Sequence, residues 1–173
     1  SSSVPVWNRR MRPIWVMPAA SAFANYLLGG RFQQEGKPEA AEAALRLAVE
    51  QDPSARYLNA LAFHLAKQDR LEEARELALR ALELDGSSPA ILDTYGYVLL
   101  RMDRLDEARE ALALARDQWP NHPELLFHQA LLLEREGKPA EARVRLDQVM
   151  ERQDDLPDRL LKEVREARDR VRF

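Results

Sequence analysis

Arg70–Asp85 reads RLEEARELALRALELD, and Arg104–Trp119 reads RLDEAREALALARDQW. Six of the first seven residues are identical, at an offset of 34. Self-similarity at a fixed period of this size marks a repeat architecture. Ala74 and Ala108 are landmarks of the frame; Ala142 lies a further 34 residues on, and Ala41 lies 33 before Ala74. A turn-like tetrad precedes each landmark: EGKP at 35–38, QDRL at 68–71, MDRL at 102–105 and EGKP at 136–139. A helix-favouring run follows each tetrad and ends at a breaker: Asp52-Pro53, Gly86-Ser87-Ser88-Pro89, Trp119-Pro120 and Asp155-Leu156-Pro157.

The stretch before each tetrad has helical spacing as well. Leu58, Leu61, Ala62 and Leu65 fall at i, i+3, i+4, i+7, as do Leu92, Tyr95, Gly96 and Leu99. Leu126, Gln129, Ala130 and Leu133 repeat the pattern with one polar intruder. Each set is one apolar face of an amphipathic helix. Pro89 and Pro123 stand where a first helical turn tolerates proline. Asp69 with Glu72, and Asp103 with Asp106, have the spacing of a capping box before the second helix. The unit is therefore helix, short turn, helix, in about 34 residues.

This unit resembles the tetratricopeptide repeat. That family's pattern asks for a bulky residue at position 4, Leu at 7, a small residue at 8, a bulky one at 11, Ala at 20, a bulky one at 24, Ala at 27 and Pro at 32. The repeat starting at Pro89 supplies Leu92, Tyr95, Gly96, Leu99, Ala108, Leu112, Ala115 and Pro120. Copies starting at Ala22, Ala55 and Pro123 follow it, departing at Asn25, Ala78, Gly86, Gln129 and Val149. The resemblance implies an all-α fold: a right-handed α-solenoid of four repeats at 22–54, 55–88, 89–122 and 123–156. Small residues Gly29, Ala62, Gly96 and Ala130 are expected to let the two helices of a repeat approach closely. Residues 157–173 read as a C-terminal capping helix, with Leu160, Val164, Ala167 and Val171 as its apolar stripe and mixed charge on a solvated face.

Residues 1–21 form a separate Trp/Arg-rich segment. It holds Trp7, Arg9, Arg10 and Trp15, and the first acidic residue of the chain is Glu35. Pro5 and Pro13 forbid one continuous helix across it. Three roles stay open: a cap on the first repeat, a juxtamembrane segment with membrane proximity, and an arm docking on a neighbouring chain. The serine run at its start leaves open a preceding segment.

Composition narrows the function. With a net charge of −3 and pI near 5.7, no nucleic-acid partner is expected. Cysteine is absent, so thiolate chemistry is excluded. His64, His122 and His128 lack the i, i+4 spacing of a helical metal pair. Gly29-Gly30 follows no strand and is no phosphate loop. No catalytic, metal-binding or cofactor-binding residues are expected, and the chain reads as a non-enzyme.

The resemblance places the ligand-facing positions of a tetratricopeptide array at 2, 5, 9, 12 and 13 of each first helix. The candidates for partner binding are accordingly Phe23, Tyr26, Arg56, Asn59, Phe63, Lys67, Asp93, Tyr97, Arg101, Phe127 and Leu131, with Trp7, Arg9, Arg10 and Trp15 for N-terminal docking. Aromatics and Arg are the usual anchors of protein interfaces. Tyr26 and Gly30 stand where a carboxylate clamp would carry Lys and Asn, so an apolar or aromatic ligand segment is expected instead. The reading is a scaffold that binds a partner protein, peptide or helix in a concave groove. The excess of Arg over Lys accompanies GC-rich genomes and points to a bacterium; the expected setting is an envelope, secretion or polysaccharide assembly, in the bacterial cytoplasm or membrane-associated or periplasmic. The alternatives are a self-associating module, forming a homo-oligomer through its N-terminal arm, and a regulatory domain of a larger membrane protein or enzyme.

Overall fold

A computed structural model describes residues 20–171, and within them every regular element is helical. The expectations for Trp7, Arg9, Arg10 and Trp15 fall outside the described residues. In chain order the helices are α1 (Ala22–Gln34), α2 (Pro38–Gln51), α3 (Ala55–Lys67), α4 (Leu71–Leu84), α5 (Pro89–Arg101), α6 (Leu105–Gln118), α7 (Pro123–Arg135), α8 (Pro139–Met150) and α9 (Asp158–Arg170). A 3₁₀ turn, Gln153–Asp155, joins the last two. Proline opens α2, α5, α7 and α8, where its missing N–H is no loss. Consecutive helices pack as antiparallel pairs, α1 with α2 through α7 with α8, and each pair stacks on the next. The chain is an α-solenoid, closed at its C-terminal end by α9, which buries Leu160, Val164 and Ala167.

Close approach within a pair depends on missing side-chain volume. A Cβ added to Gly96 would stand 2.7 Å from Cγ and Cδ2 of Leu112 and 3.4 Å from the Ala108 carbonyl oxygen. One added to Gly29 would meet Leu45 at the same 2.7 Å and the Ala41 carbonyl oxygen at 3.5 Å. The repeat between them has Ala62 at the glycine position and Ala78 at the leucine position, both fully buried. The departure at Ala78 is thus matched by a larger residue across the pair, which keeps the combined volume near constant.

The four tetrads form one kind of turn. Gly36, Asp69, Asp103 and Gly137 all adopt left-handed backbone, with φ of 67°, 63°, 62° and 73°. Each first helix closes with a pair of reverse hydrogen bonds, such as Arg104 N–H to the Leu99 carbonyl at 2.9 Å and Asp103 N–H to the Leu100 carbonyl at 3.1 Å. This is the Schellman closure, which needs its left-handed residue just past the helix end. The capping boxes expected from Asp69 and Asp103 are therefore not formed. Arg70 and Arg104 hold the N-cap positions of α4 and α6, without side-chain cap bonds. Both aspartates are occupied with C-terminal closure, and each accepts from an Arg of the next repeat: Arg101 Nη2 to Asp69 at 3.1 Å, Arg135 Nη2 to Asp103 at 2.6 Å.

Two expectations follow. Gly96→Ala should cost about 1–3 kcal/mol through overpacking, and Leu112→Ala should cost less in that background than in wild type, because the added methyl fills part of the cavity. Denaturant titration of the four-member cycle measures the coupling, and simple additivity would contradict it. Asp103→Gly should raise the unfolding free energy by about 0.5–1 kcal/mol, since glycine relieves the left-handed strain and the exposed ion pair it loses is worth little. A lower urea midpoint would show that the ion pair outweighs the strain.

Candidate interaction groove

The first helices of the repeats line the inner face, and the starting halves of α3 and α5 leave it open. A cavity of about 780 Å³ lies there, lined among others by Tyr26, Gly30, Arg56, Asn59, Asp93 and Glu124. Arg56 is exposed and makes no hydrogen bond or ion pair among the described residues. Oδ1 of Asn59 is buried and has no hydrogen-bond partner. Tyr26 packs on Tyr57, with ring centroids 5.5 Å apart, and Phe23 stands half exposed beside it at 6.4 Å. Trp119 and His122 stack at 4.3 Å on the rim.

Towards the ending halves of the same helices the inner face closes on itself. Tyr97 stacks on His128 at 4.4 Å, and Phe63 and Phe127 lean on the same imidazole at 6.1 and 5.9 Å. His128 Nδ1 is in hydrogen-bond contact with Asp93 Oδ1 at 2.7 Å, joining α7 to α5 within the apolar surround. Tyr97 and Phe127 are each 4% exposed and Asp93 6%. They are not an open aromatic strip: the solenoid curves tightly enough for rings from three repeats to meet. Leu131 is partly buried and touches the packed core on both sides.

Helix α9 completes the closure. Arg159 lies over the Phe63 ring at 5.5 Å and donates to Glu124 at 2.7 Å and Glu163 at 3.1 Å. Lys67 of α3 donates to Glu163 at 2.7 Å, across 96 residues of chain. The mixed charges of α9, expected on a solvated face, thus include one pair turned inward. Beyond this bridge lies a second hollow of about 380 Å³, lined by Gln33, His64, Lys67 and Gln68 among others. Arg101 is held by the Tyr97 hydroxyl at 2.8 Å and by Asp69.

Of the candidate residues, Tyr26, Arg56, Asn59, Phe63 and Asp93 share the open cavity. Phe23 lies beyond it on α1, Lys67 and Arg101 are engaged in ion pairs, and Tyr97, Phe127 and Leu131 belong to the closed half. The ligand-facing register already placed Glu124, the second residue of α7, on the inner face, and it lines the cavity. The sequence reading missed His128, Arg159 and Glu163 as inner-face groups. Only the i, i+4 spacing of Arg159 and Glu163 hinted at a shared face. Among the described residues no cluster of ligating side chains could hold a metal ion, and no helix is long and apolar enough to cross a membrane.

His128 carries a pH signature. Burial alone would push its imidazole down. The Asp93 carboxylate, with Glu124 one turn away, outweighs burial and the opposing Lys67, so the imidazole is raised above its ordinary value. A raised histidine contributes stability that is whole below the unfolded-chain value near 6.5 and is lost as pH rises through the folded value. His64 is lowered by burial and acts in the opposite sense. Asp93→Asn removes the carboxylate and keeps its shape. The gap in unfolding free energy between wild type and Asp93→Asn should therefore be widest below the unfolded-chain value near 6.5 and shrink as pH rises through the raised folded value. Urea titrations across that range check it; a gap independent of pH would mean that His128 stays neutral.

Comparison with known proteins agrees with the geometry. The tetratricopeptide repeat family model matches residues 26–89 and 96–155. No curated protein sequence matches the chain. Among solved structures, pilF of Pseudomonas aeruginosa is 27% identical with a TM-score of 0.63, the match covering 87% of this chain and 72% of that one. A thermophilic tetratricopeptide repeat protein of Thermus thermophilus is 20% identical with a TM-score of 0.72, covering 87% and 80%. YrrB, described as a tetratricopeptide repeat protein with an unusual peptide-binding site, is 20% identical with a TM-score of 0.57, covering 84% and 74%. The period, the helix pairs packed on small residues and the family match make this chain a member of the tetratricopeptide repeat family.

Proposed function

We propose that the protein is a non-enzymatic scaffold that captures a segment of a partner protein in the open part of its inner groove. The observation that carries this reading is the buried, unpartnered Oδ1 of Asn59 in the cavity beside the unpaired Arg56. A buried acceptor left without a donor costs about 1–3 kcal/mol, which a backbone N–H of an extended segment would recover. Arg56 adds a charged donor for a carbonyl or carboxylate of the same segment. Tyr26 and Phe63 supply apolar surface, so the segment should present an apolar or aromatic side chain between them. The description of YrrB as peptide-binding supports the class of ligand.

The same groove is narrowed by its own C-terminal helix. Arg159 and Glu163 stand on Phe63 and Lys67, two of the ligand-facing positions that the family resemblance suggested. The ligand therefore engages the half lined by Tyr26, Arg56 and Asn59. The setting we propose is a bacterial multiprotein assembly of the cell envelope; the Arg-rich composition and the Pseudomonas and Thermus relatives support a bacterial source.

Panning a random peptide library against the full chain tests the groove. Selected peptides should bind the Arg56→Glu, Asn59→Ala double variant at least about tenfold more weakly, roughly 1.4 kcal/mol, with helical circular dichroism unchanged and the unfolding midpoint no lower than in wild type. Equal binding by the variant would move the ligand site elsewhere.

A further inference from the structure

The N-terminal end of the solenoid is unfinished among the described residues. Helix α1 is built on the same register as the later first helices, offset by 33 to α3, 67 to α5 and 101 to α7. Ala24 of α1 corresponds to Tyr57, Ile91 and Leu125, all buried; Arg31 corresponds to His64, Val98 and Leu132, again all buried. In those repeats the preceding second helix, α2, α4 or α6, packs against this face, and α8 does the same for α9. Described residues supply no such helix before α1. Its face carries Leu27 and Leu28 at 54% and 40% exposure, and Phe23, which shares the groove-side position of Arg56, borders it at 50%. Phe23 and Leu27 are one turn apart, so the three make one apolar strip.

The chain just upstream has the length and chemistry to cover it. Nineteen residues precede Ala20 in the sequence. The Ala20 carbonyl accepts from Asn25 Nδ2 at 3.2 Å and Gln51 Nε2 at 2.8 Å, which fixes where that segment joins the first repeat. Elsewhere a first helix is entered from its covering helix through the short connectors 52–54, 85–88 and 119–122. Residues 18–21 match such a connector in length, and immediately before them stand Ile14, Trp15, Val16 and Met17, four apolar residues in a row. Leu27 and Leu28 lie about 10 Å along α1 from Ser21, at ~1.5 Å per residue. The four to seven residues back to Ile14–Met17 span that distance at up to ~3.4 Å each.

We infer that Ile14–Met17 dock in cis on Phe23, Leu27 and Leu28, supplying the first repeat with the cover that every later repeat receives from the helix before it. Docking in trans is disfavoured by area. Three side chains fall well short of the roughly 800 Å² per partner of a stable interface. A short tether, by contrast, holds the segment at an effective concentration in the millimolar range.

The chain has no cysteine, so pairs can be introduced cleanly. Val16→Cys with Leu28→Cys, in the full chain under mild oxidation, should form an intramolecular disulfide at a rate independent of protein concentration. It should form at least about tenfold faster than the control pair Val16→Cys with Leu114→Cys, whose second site is on an outer surface far along the solenoid. A covalent dimer would assign the face to a second copy, and a rate no better than the control would leave it uncovered by this segment; either overturns the proposal. As a second readout, a variant with Trp7→Phe and Trp119→Phe keeps Trp15 as its sole indole. Its emission should be that of a shielded indole and shift to the red on adding Leu28→Asp, with helicity unchanged. An emission already solvent-exposed and indifferent to Leu28→Asp would also overturn it.

Discussion

Everything else in this solenoid rests on how closely the two helices of a repeat can approach. At Gly29 and Gly96 the partner leucine occupies the place of a missing Cβ, and the helix backbones close on each other over Ala41 and Ala108. That approach sets the height of each layer and the surface it presents to the next. Because a single repeat buries only one side of each helix, stability accumulates through neighbour contacts, and the fold behaves as a stack. The buried core follows suit: it runs along the stack as three adjoining clusters joined through residues such as Tyr95 and Leu131.

The turn inside each repeat is the second constraint, and it has two chemical solutions. Glycine takes the left-handed position in the outer two repeats and aspartate in the inner two. Aspartate tolerates that conformation less well than glycine but brings a carboxylate. In both cases the carboxylate meets an arginine from the following repeat. The aspartates thus couple neighbouring layers at the inner edge, which glycine cannot do.

Curvature then decides what the inner face becomes. Rings spaced one per repeat would line an open groove if the layers diverged. Here they converge on His128, and α9 reaches across to Lys67. One half of the inner face is consumed in holding the solenoid's bend, and the other half, around Arg56 and Asn59, keeps unsatisfied polar groups next to open space. A division of this kind separates residues that hold the bend from residues left facing open space.

The amino-acid sequence alone determined the period, the helix pairs, the small-residue positions and the C-terminal cap, because each is a local pattern of volume and polarity repeated at fixed spacing. It also marked Tyr26, Arg56, Asn59 and Phe63 as inner-face residues, since first-helix register follows directly from the repeat. It could not say that Tyr97, Phe127 and Asp93 would be buried, that Asp69 and Asp103 would close a helix and not open one, or that Arg159 and Glu163 would turn inward. The aspartate closure is a local choice between two turn conformations that the same residue spacing allows. The other outcomes depend on the angle between successive layers, a quantity summed over several interfaces. Small rotations at each interface accumulate along the stack, and only the assembled structure shows which side chains they bring within reach.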